Sequence, residues 1–368
     1  MTPSWSLKLL VVNLVLAIGL AERPSQAWRE GKFKTLVTFG DSYTDENRLG
    51  YFINNNGSAP PVGWQQPVIL LAFSNSYQGL NTASGGLSWA RYASIYSKAT
   101  LYNYAVSGAV CSNYVTPRFF SAINAPFPDI AGYELPAFIA DTKYRYPNGT
   151  KFYIGKQDST VYAIWIGTND LGNNAFLTDS QVKGKTVKDY IDCVYDQVSR
   201  LYKNGGRYFV LLNVAPLDLL PQYALPENGG LPATQYFPEK LGKNITEIAG
   251  RMQETVAALN DVYKYRTPFQ VEVEEKWPDA KFANFDVHAL ISDIYYHPSQ
   301  YLNGSAPLNV QGVAHPCDLQ GKNCSLSPSP DSFLWYDALH PSEQTGRVVA
   351  REFVRVLSGK SKWAEYWG

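Results

Sequence analysis

A serine hydroxyl, an imidazole three residues after a carboxylate, an asparagine amide and a bare glycine N–H stand out among 368 residues as groups that could act together on an ester. The serine is Ser42, in Gly40-Asp41-Ser42-Tyr43-Thr44-Asp45. The acid and imidazole are Asp337 and His340, in Asp337-Ala338-Leu339-His340-Pro341. The amide is Asn169, in Ile166-Gly167-Thr168-Asn169-Asp170. Gly108 closes Asn103-Tyr104-Ala105-Val106-Ser107-Gly108, and its lack of a side chain leaves the backbone N–H open to close approach. A serine is a poor nucleophile until a base takes its proton; the base needs an orienting acceptor, and the oxyanion needs donors. These are the parts of acyl transfer. Alone, Gly-Asp-Ser reads better as a helix cap; the four blocks together carry the inference.

The elements that must position these groups follow from hydrophobic pattern. Short apolar runs alternate with helical patterns, the signature of a parallel α/β sheet. Strands are expected at 35–39, 101–104, 161–166, 208–214 and 282–287, several as continuous apolar runs covered on both faces. The serine, glycine and asparagine blocks follow the first three strands and so reach one sheet edge, where open parallel sheets bind ligands. A helix is expected over 186–203, with Val187, Ile191, Val194, Val198 and Leu201 on one stripe and Asn204-Gly205-Gly206 as its stop. A second, over about 244–265, carries Ile248, Met252, Val256 and Leu259 on one face. The last begins after His340 with Pro341 in its first turn and runs to about residue 357. Long inserts rich in Gly, Pro, Asn and aromatics separate the first three strands. They read as decorations around the site and hold no domain boundary.

Other constellations are weaker. His288, near Asp286, reads as a structural histidine at the start of a helix. His297 and His315 lie in Pro-containing loops, and four scattered His make no metal set, so neither metal nor organic cofactor is implied. No G-x-S-x-G elbow occurs, against an α/β-hydrolase lipase. Asp45 and Glu46 read as first-turn residues and Asp170 as a helix cap, rather than as parts of a glycosidase pair. Balanced charge, 32 Lys+Arg against 32 Asp+Glu, gives no electrostatic reason to bind nucleic acid or an anionic membrane. The aromatics Tyr51, Phe52, Trp64, Trp89 and Tyr104 fall near the expected site. They serve either core packing or a wall that meets sugar faces and excludes long acyl chains. Tyr43, Trp64, Trp89 and Tyr104 are the candidate substrate contacts.

Residues 9–20 are apolar apart from Asn13. That run is shorter than the about 20 residues of a spanning helix and fits a secretory signal cleaved after Ala27, or after Ala21. Residues 28–368 then form a single domain, extracellular and without a stable membrane anchor. Five N-x-S/T sequons, at Asn56, Asn148, Asn244, Asn303 and Asn323, suit a secreted glycoprotein. Four cysteines permit three pairings. Cys317 and Cys324 would clip a short loop, leaving Cys111 for Cys193, whose partner must then lie across the outer face of the 186–203 helix. No C-x-x-C pair points to zinc or redox chemistry.

With its blocks in this order, the sequence resembles the GDSL or SGNH hydrolases and is especially similar to secreted fungal acetylesterases of carbohydrate esterase family 16. The resemblance rests on FGDSYTDENRLGYFINNNGSAPPVGWQQP, GGLSWARYAS, NYAVSGAVCSN, IWIGTND, NGGRYFVLLNVAPL and LWYDALHPSEQT. It implies a three-layer α/β/α, flavodoxin-like fold with a central, mostly parallel sheet and large loop insertions. Ser42 would be the nucleophile, His340 the base and Asp337 its partner. The oxyanion donors would be the N–H groups of Ser42 and Gly108 and the Asn169 amide. Tyr43 stands where the name-giving motif usually has Leu. The implied activity is removal of acetyl groups from acetylated sugars or oligosaccharides of plant cell-wall polymers. A GDSL lipase or lysophospholipase with longer acyl preference is one alternative. A non-catalytic carbohydrate-binding protein on the same scaffold is another, and the full catalytic set speaks against it.

Overall fold

The five apolar runs form the strands expected of them, each within two residues of its expected ends. In the computed structural model, which describes residues 27–71, 76–78 and 81–368, they are β1 (Thr35–Gly40), β2 (Thr100–Asn103), β3 (Thr160–Trp165), β4 (Tyr208–Leu212) and β5 (Lys281–Phe285). A sixth, β6 (Ala364–Trp367), closes the far edge, antiparallel to β5. The spatial order is β6-β5-β4-β3-β1-β2, and the first five strands run parallel. Every residue of β1 and β3 is buried, as strands covered on both faces must be. The secretory-signal reading falls, as far as Gln26, outside the described residues.

Eight α-helices follow among the described residues: α1 (Arg48–Asn54), α2 (Trp89–Ser97), α3 (Leu135–Asp141), α4 (Thr168–Leu171), α5 (Val187–Lys203), α6 (Ile245–Pro268), α7 (Val287–Tyr296) and α8 (Glu343–Leu357). From β1 the chain crosses to β2 on one side; from β3 it moves to β4 on the other. Right-handed crossovers in opposite directions put their helices on opposite sheet faces and leave a crevice at the switch point between β1 and β3. One layer packs α2 on α8 with α7 beside it. In the other, α5 and α6 are joined by hydroxyl bonds, Tyr190 to Tyr263 at 3.0 Å and Tyr195 to Thr267 at 2.7 Å.

The α5 sequence explains its limits. Thr186 and Asp189 form a reciprocal capping box at its start. Ile191, Val194, Val198 and Leu201 are buried, and the Gly206 N–H closes the last turn on Leu201 O at 2.9 Å. Val187, expected on the stripe, is exposed at the first helical position. Helix α8 departs from expectation at its start. Ser342 is its cap, accepting from the Thr345 N–H at 3.2 Å, and Pro341 stays outside, bridged to Trp335. A side-chain oxygen there satisfies a free N–H, which proline cannot do.

Both disulfides form as expected, Cys111–Cys193 and Cys317–Cys324. The segment after β2 crosses the α5 face carrying Cys193, off the apolar stripe, and closes 82 residues of chain. His315 lies near the second pair, but both of those sulfurs are spent in the bond. All five sequon asparagines are exposed. Among the described residues no helix is long and apolar enough to cross a membrane.

Candidate active site

Strand β1 ends where no side chain fits. A Cβ on Gly40 (φ 153°) would lie 2.2 Å from the Trp165 carbonyl oxygen of β3. The chain then turns sharply, held by the Tyr43 N–H on Asp41 Oδ1 at 3.0 Å, and presents Ser42 at the sheet edge. Buried Glu134 binds this turn to its neighbour by accepting from the N–H groups of Gly40 (2.9 Å) and Val106 (3.2 Å). Asp45 does the same from above. It accepts from Arg48 N–H (2.6 Å) at the start of α1 and from Ser107 N–H (2.8 Å) beside Gly108. The first-turn reading of Asp45 therefore holds; Glu46 instead pairs with Arg91 at 2.7 Å.

The acid, base and hydroxyl meet in line. His340 Nε2 is 2.9 Å from Ser42 Oγ, and His340 Nδ1 is 2.8 Å from Asp337 Oδ1. A carboxylate can only accept, so the imidazole proton sits on Nδ1 and Nε2 is left to accept the serine proton. Asp337 also accepts from the backbone N–H groups of Leu339 and His340, each at 2.9 Å, and from the Tyr236 hydroxyl at 2.7 Å. Burial alone would raise the Asp337 pKa; His340 and these donors outweigh it and hold the carboxyl below its usual range. Asp41, also buried, goes the other way: desolvation pushes it up to about 6 against the pull of the Tyr43 N–H and His340.

Three donor groups follow the ends of the neighbouring strands β1, β2 and β3. Gly108 adopts a φ of 82°, and a Cβ there would strike the Phe127 ring at 2.4 Å. Among the described residues, no hydrogen bond occupies the N–H of Ser42 or of Gly108. Asn169, in the short helix α4, gives one amide hydrogen to Ala109 O at 2.9 Å. Its Oδ1 accepts from Arg118 Nη1 at 2.5 Å, which fixes which end of the amide is the donor. Asp170 is not the cap it was expected to be. It reaches across to accept from the Cys111 N–H (3.0 Å) and the Thr116 hydroxyl (3.1 Å), because the segment after β2 arrives there with unpaired donors.

Arg118 and Tyr236 were not legible in the sequence. Both come from long loops, and no spacing links either to the residue it holds. Arg118 also donates to Gly108 O at 3.3 Å, so one guanidinium fixes two of the three donor groups. Arg118→Met is expected to lower kcat by about 10², the cost of a misplaced catalytic group, with KM nearly unchanged. Steady-state kinetics beside a thermal melt checks this; a changed KM with constant kcat would assign Arg118 to ground-state binding.

The candidate substrate aromatics divide. Tyr43 and Trp89 border a cavity beside Ser42 and His340. Trp64 and Tyr104 do not: both lie against the Arg48 guanidinium, and Tyr104 is fully buried with its hydroxyl on Asp141 at 2.7 Å. Tyr104 stacks on Phe39 of β1, so the strand's own apolar face claims it for the core. His288 does not border that cavity. Asp286, beside it, caps α7 through the Ala289 N–H, and burial lowers the imidazole pKa.

Residues 36–353 match the family described as GDSL-like Lipase/Acylhydrolase. An acetylesterase of Hypocrea jecorina is 43% identical over 337 residues, 91% of this chain and 92% of that protein. An acetylesterase of Thermothelomyces thermophilus is 26% identical over 281 residues, covering 73% and 84% of the two chains. A GDSL esterase/lipase of Arabidopsis thaliana is 25% identical over 259 residues, 65% of this chain and 57% of its own.

Proposed function

Because the chain belongs to the GDSL-like lipase/acylhydrolase family, we propose that it is a secreted serine esterase that removes acetyl groups from acetylated sugars or oligosaccharides of plant cell-wall polymers. The observation that carries the reading is the hydrogen-bonded line Ser42–His340–Asp337. Ser42 Oγ attacks the ester carbonyl carbon while His340 Nε2 takes its proton. The carbonyl oxygen gains negative charge and is received by the N–H groups of Ser42 and Gly108 and by the Asn169 amide. The intermediate collapses, the C–O bond to the sugar breaks, and His340 returns the proton to the departing sugar oxygen. Water, deprotonated by His340, then attacks the acyl-enzyme and releases acetate and free Ser42.

Secretion draws support from the two disulfides, which persist in oxidising compartments, and from five exposed sequon asparagines open to glycosylation. On this reading residues 1–27 are the signal and 28–368 one catalytic domain of the carbohydrate esterase family 16 type. Neutral overall charge suits an uncharged ester substrate. Aryl esters of rising acyl length, assayed beside an acetylated xylo-oligosaccharide, test the substrate class. Acetate release from the oligosaccharide and a steep decline beyond the acetyl ester are expected. Preference for long acyl chains would make the enzyme a lipase instead.

A further inference from the structure

The serine-esterase reading leaves open where the acyl group goes, and a small cavity beside the Ser42–His340 pair answers it. Its lining includes Ser42, His340, Tyr43, Trp89, Trp165 and Val349; Gly108 and Asn169 are not part of it. The carbonyl carbon of a bound ester carries three groups besides the attacking Oγ. The oxygen goes to the donors, outside the cavity. The leaving oxygen continues into a sugar, which needs a path to solvent. Of the three, the acyl chain best suits a pocket bordered by two indoles and a valine.

Size fits that role. The space open to the centre of a water-sized sphere is only about 20 Å³, so the cavity takes a small acyl group and not an extended chain. Its walls are pinned. Trp89 Nε1 donates to Thr44 Oγ1 at 3.0 Å, and its ring meets Trp165 edge-on at 5.9 Å and Phe353 at 4.9 Å. The Tyr43 hydroxyl donates to Leu339 O at 2.8 Å, while its ring meets Trp165 at 5.2 Å. Such packed walls do not move aside for an added methylene without cost.

We infer that this cavity is the acyl subsite: it takes the acetyl methyl, and Trp89, Trp165 and Val349 exclude longer acyl chains. The inference rests on the esterase reading and is tested on the whole enzyme with aryl acetate, propionate and butyrate. Val349→Ala deepens the floor and is expected to raise the butyrate-to-acetate ratio of kcat/KM at least about tenfold, the discrimination a methylene commonly supports. Gly346→Ala works in the opposite sense. A Cβ at Gly346 has as its nearest neighbour Trp89 N at 3.8 Å, an ordinary contact, and alanine favours the α8 helix, so the variant folds. Its methyl takes up cavity space and is expected to lower kcat/KM for acetate about tenfold. Wild-type chain-length profiles in two active variants would overturn the subsite and leave the esterase standing. A folded wild type inert on every ester would overturn the esterase reading and the subsite with it.

Discussion

Ser42→Ala is expected to remove ester hydrolysis, lowering kcat by about 10⁴–10⁶ while the fold stays intact. The serine side chain makes one hydrogen bond, to His340 Nε2, and it sits on a turn held by Gly40, Asp41 and Glu134 through groups the substitution does not touch. The melting temperature should therefore match wild type within a few degrees. KM should change little, because the donors that receive the carbonyl oxygen remain. What is lost is the covalent path: with no hydroxyl for His340 to deprotonate, hydrolysis must proceed by direct attack of water. Activity above a tenth of wild type in purified Ser42→Ala would remove Ser42 from the mechanism.

Asn169→Ala is expected to cost about 10²–10³ in kcat, the usual effect of deleting one oxyanion donor. Charge develops on the carbonyl oxygen only as the bond to Ser42 forms, so the loss belongs to kcat and KM should hardly move. Stability should fall as well, by about 1–3 kcal/mol, because Arg118 loses one of its two acceptors and Ala109 O its donor in a buried setting. Kinetics at a temperature well below the midpoint separates the two effects. A raised KM with unchanged kcat would show that the amide binds the ground-state ester instead.

The site was legible to the extent that chemistry follows strand ends. Parallel strands deliver their carboxyl ends to one edge, so Ser42, Gly108 and Asn169 could be placed together once β1, β2 and β3 were read as apolar runs. Asp337 and His340 needed only their three-residue spacing, which a single loop satisfies. Contacts between loops were beyond reach. Arg118 reaches Asn169 across 51 residues, and Tyr236 reaches Asp337 across 101, with no periodicity connecting them. The same limit misplaced Tyr104. It stands next to the glycine block in sequence, but its ring stacks on Phe39 in the core. Pro341 misled for a local reason: proline suits a helix's first turn, yet Ser342 is the better cap and moved the start onward.

Covalent capture tests the central claim most directly. The wild-type protein, treated with a serine-reactive fluorophosphonate, digested and mapped by mass spectrometry, should carry one adduct, on Ser42. The labelling should disappear in His340→Ala, which lacks the base that activates the hydroxyl. An adduct on another serine, or equal labelling of Ser42 with and without His340, would contradict the account.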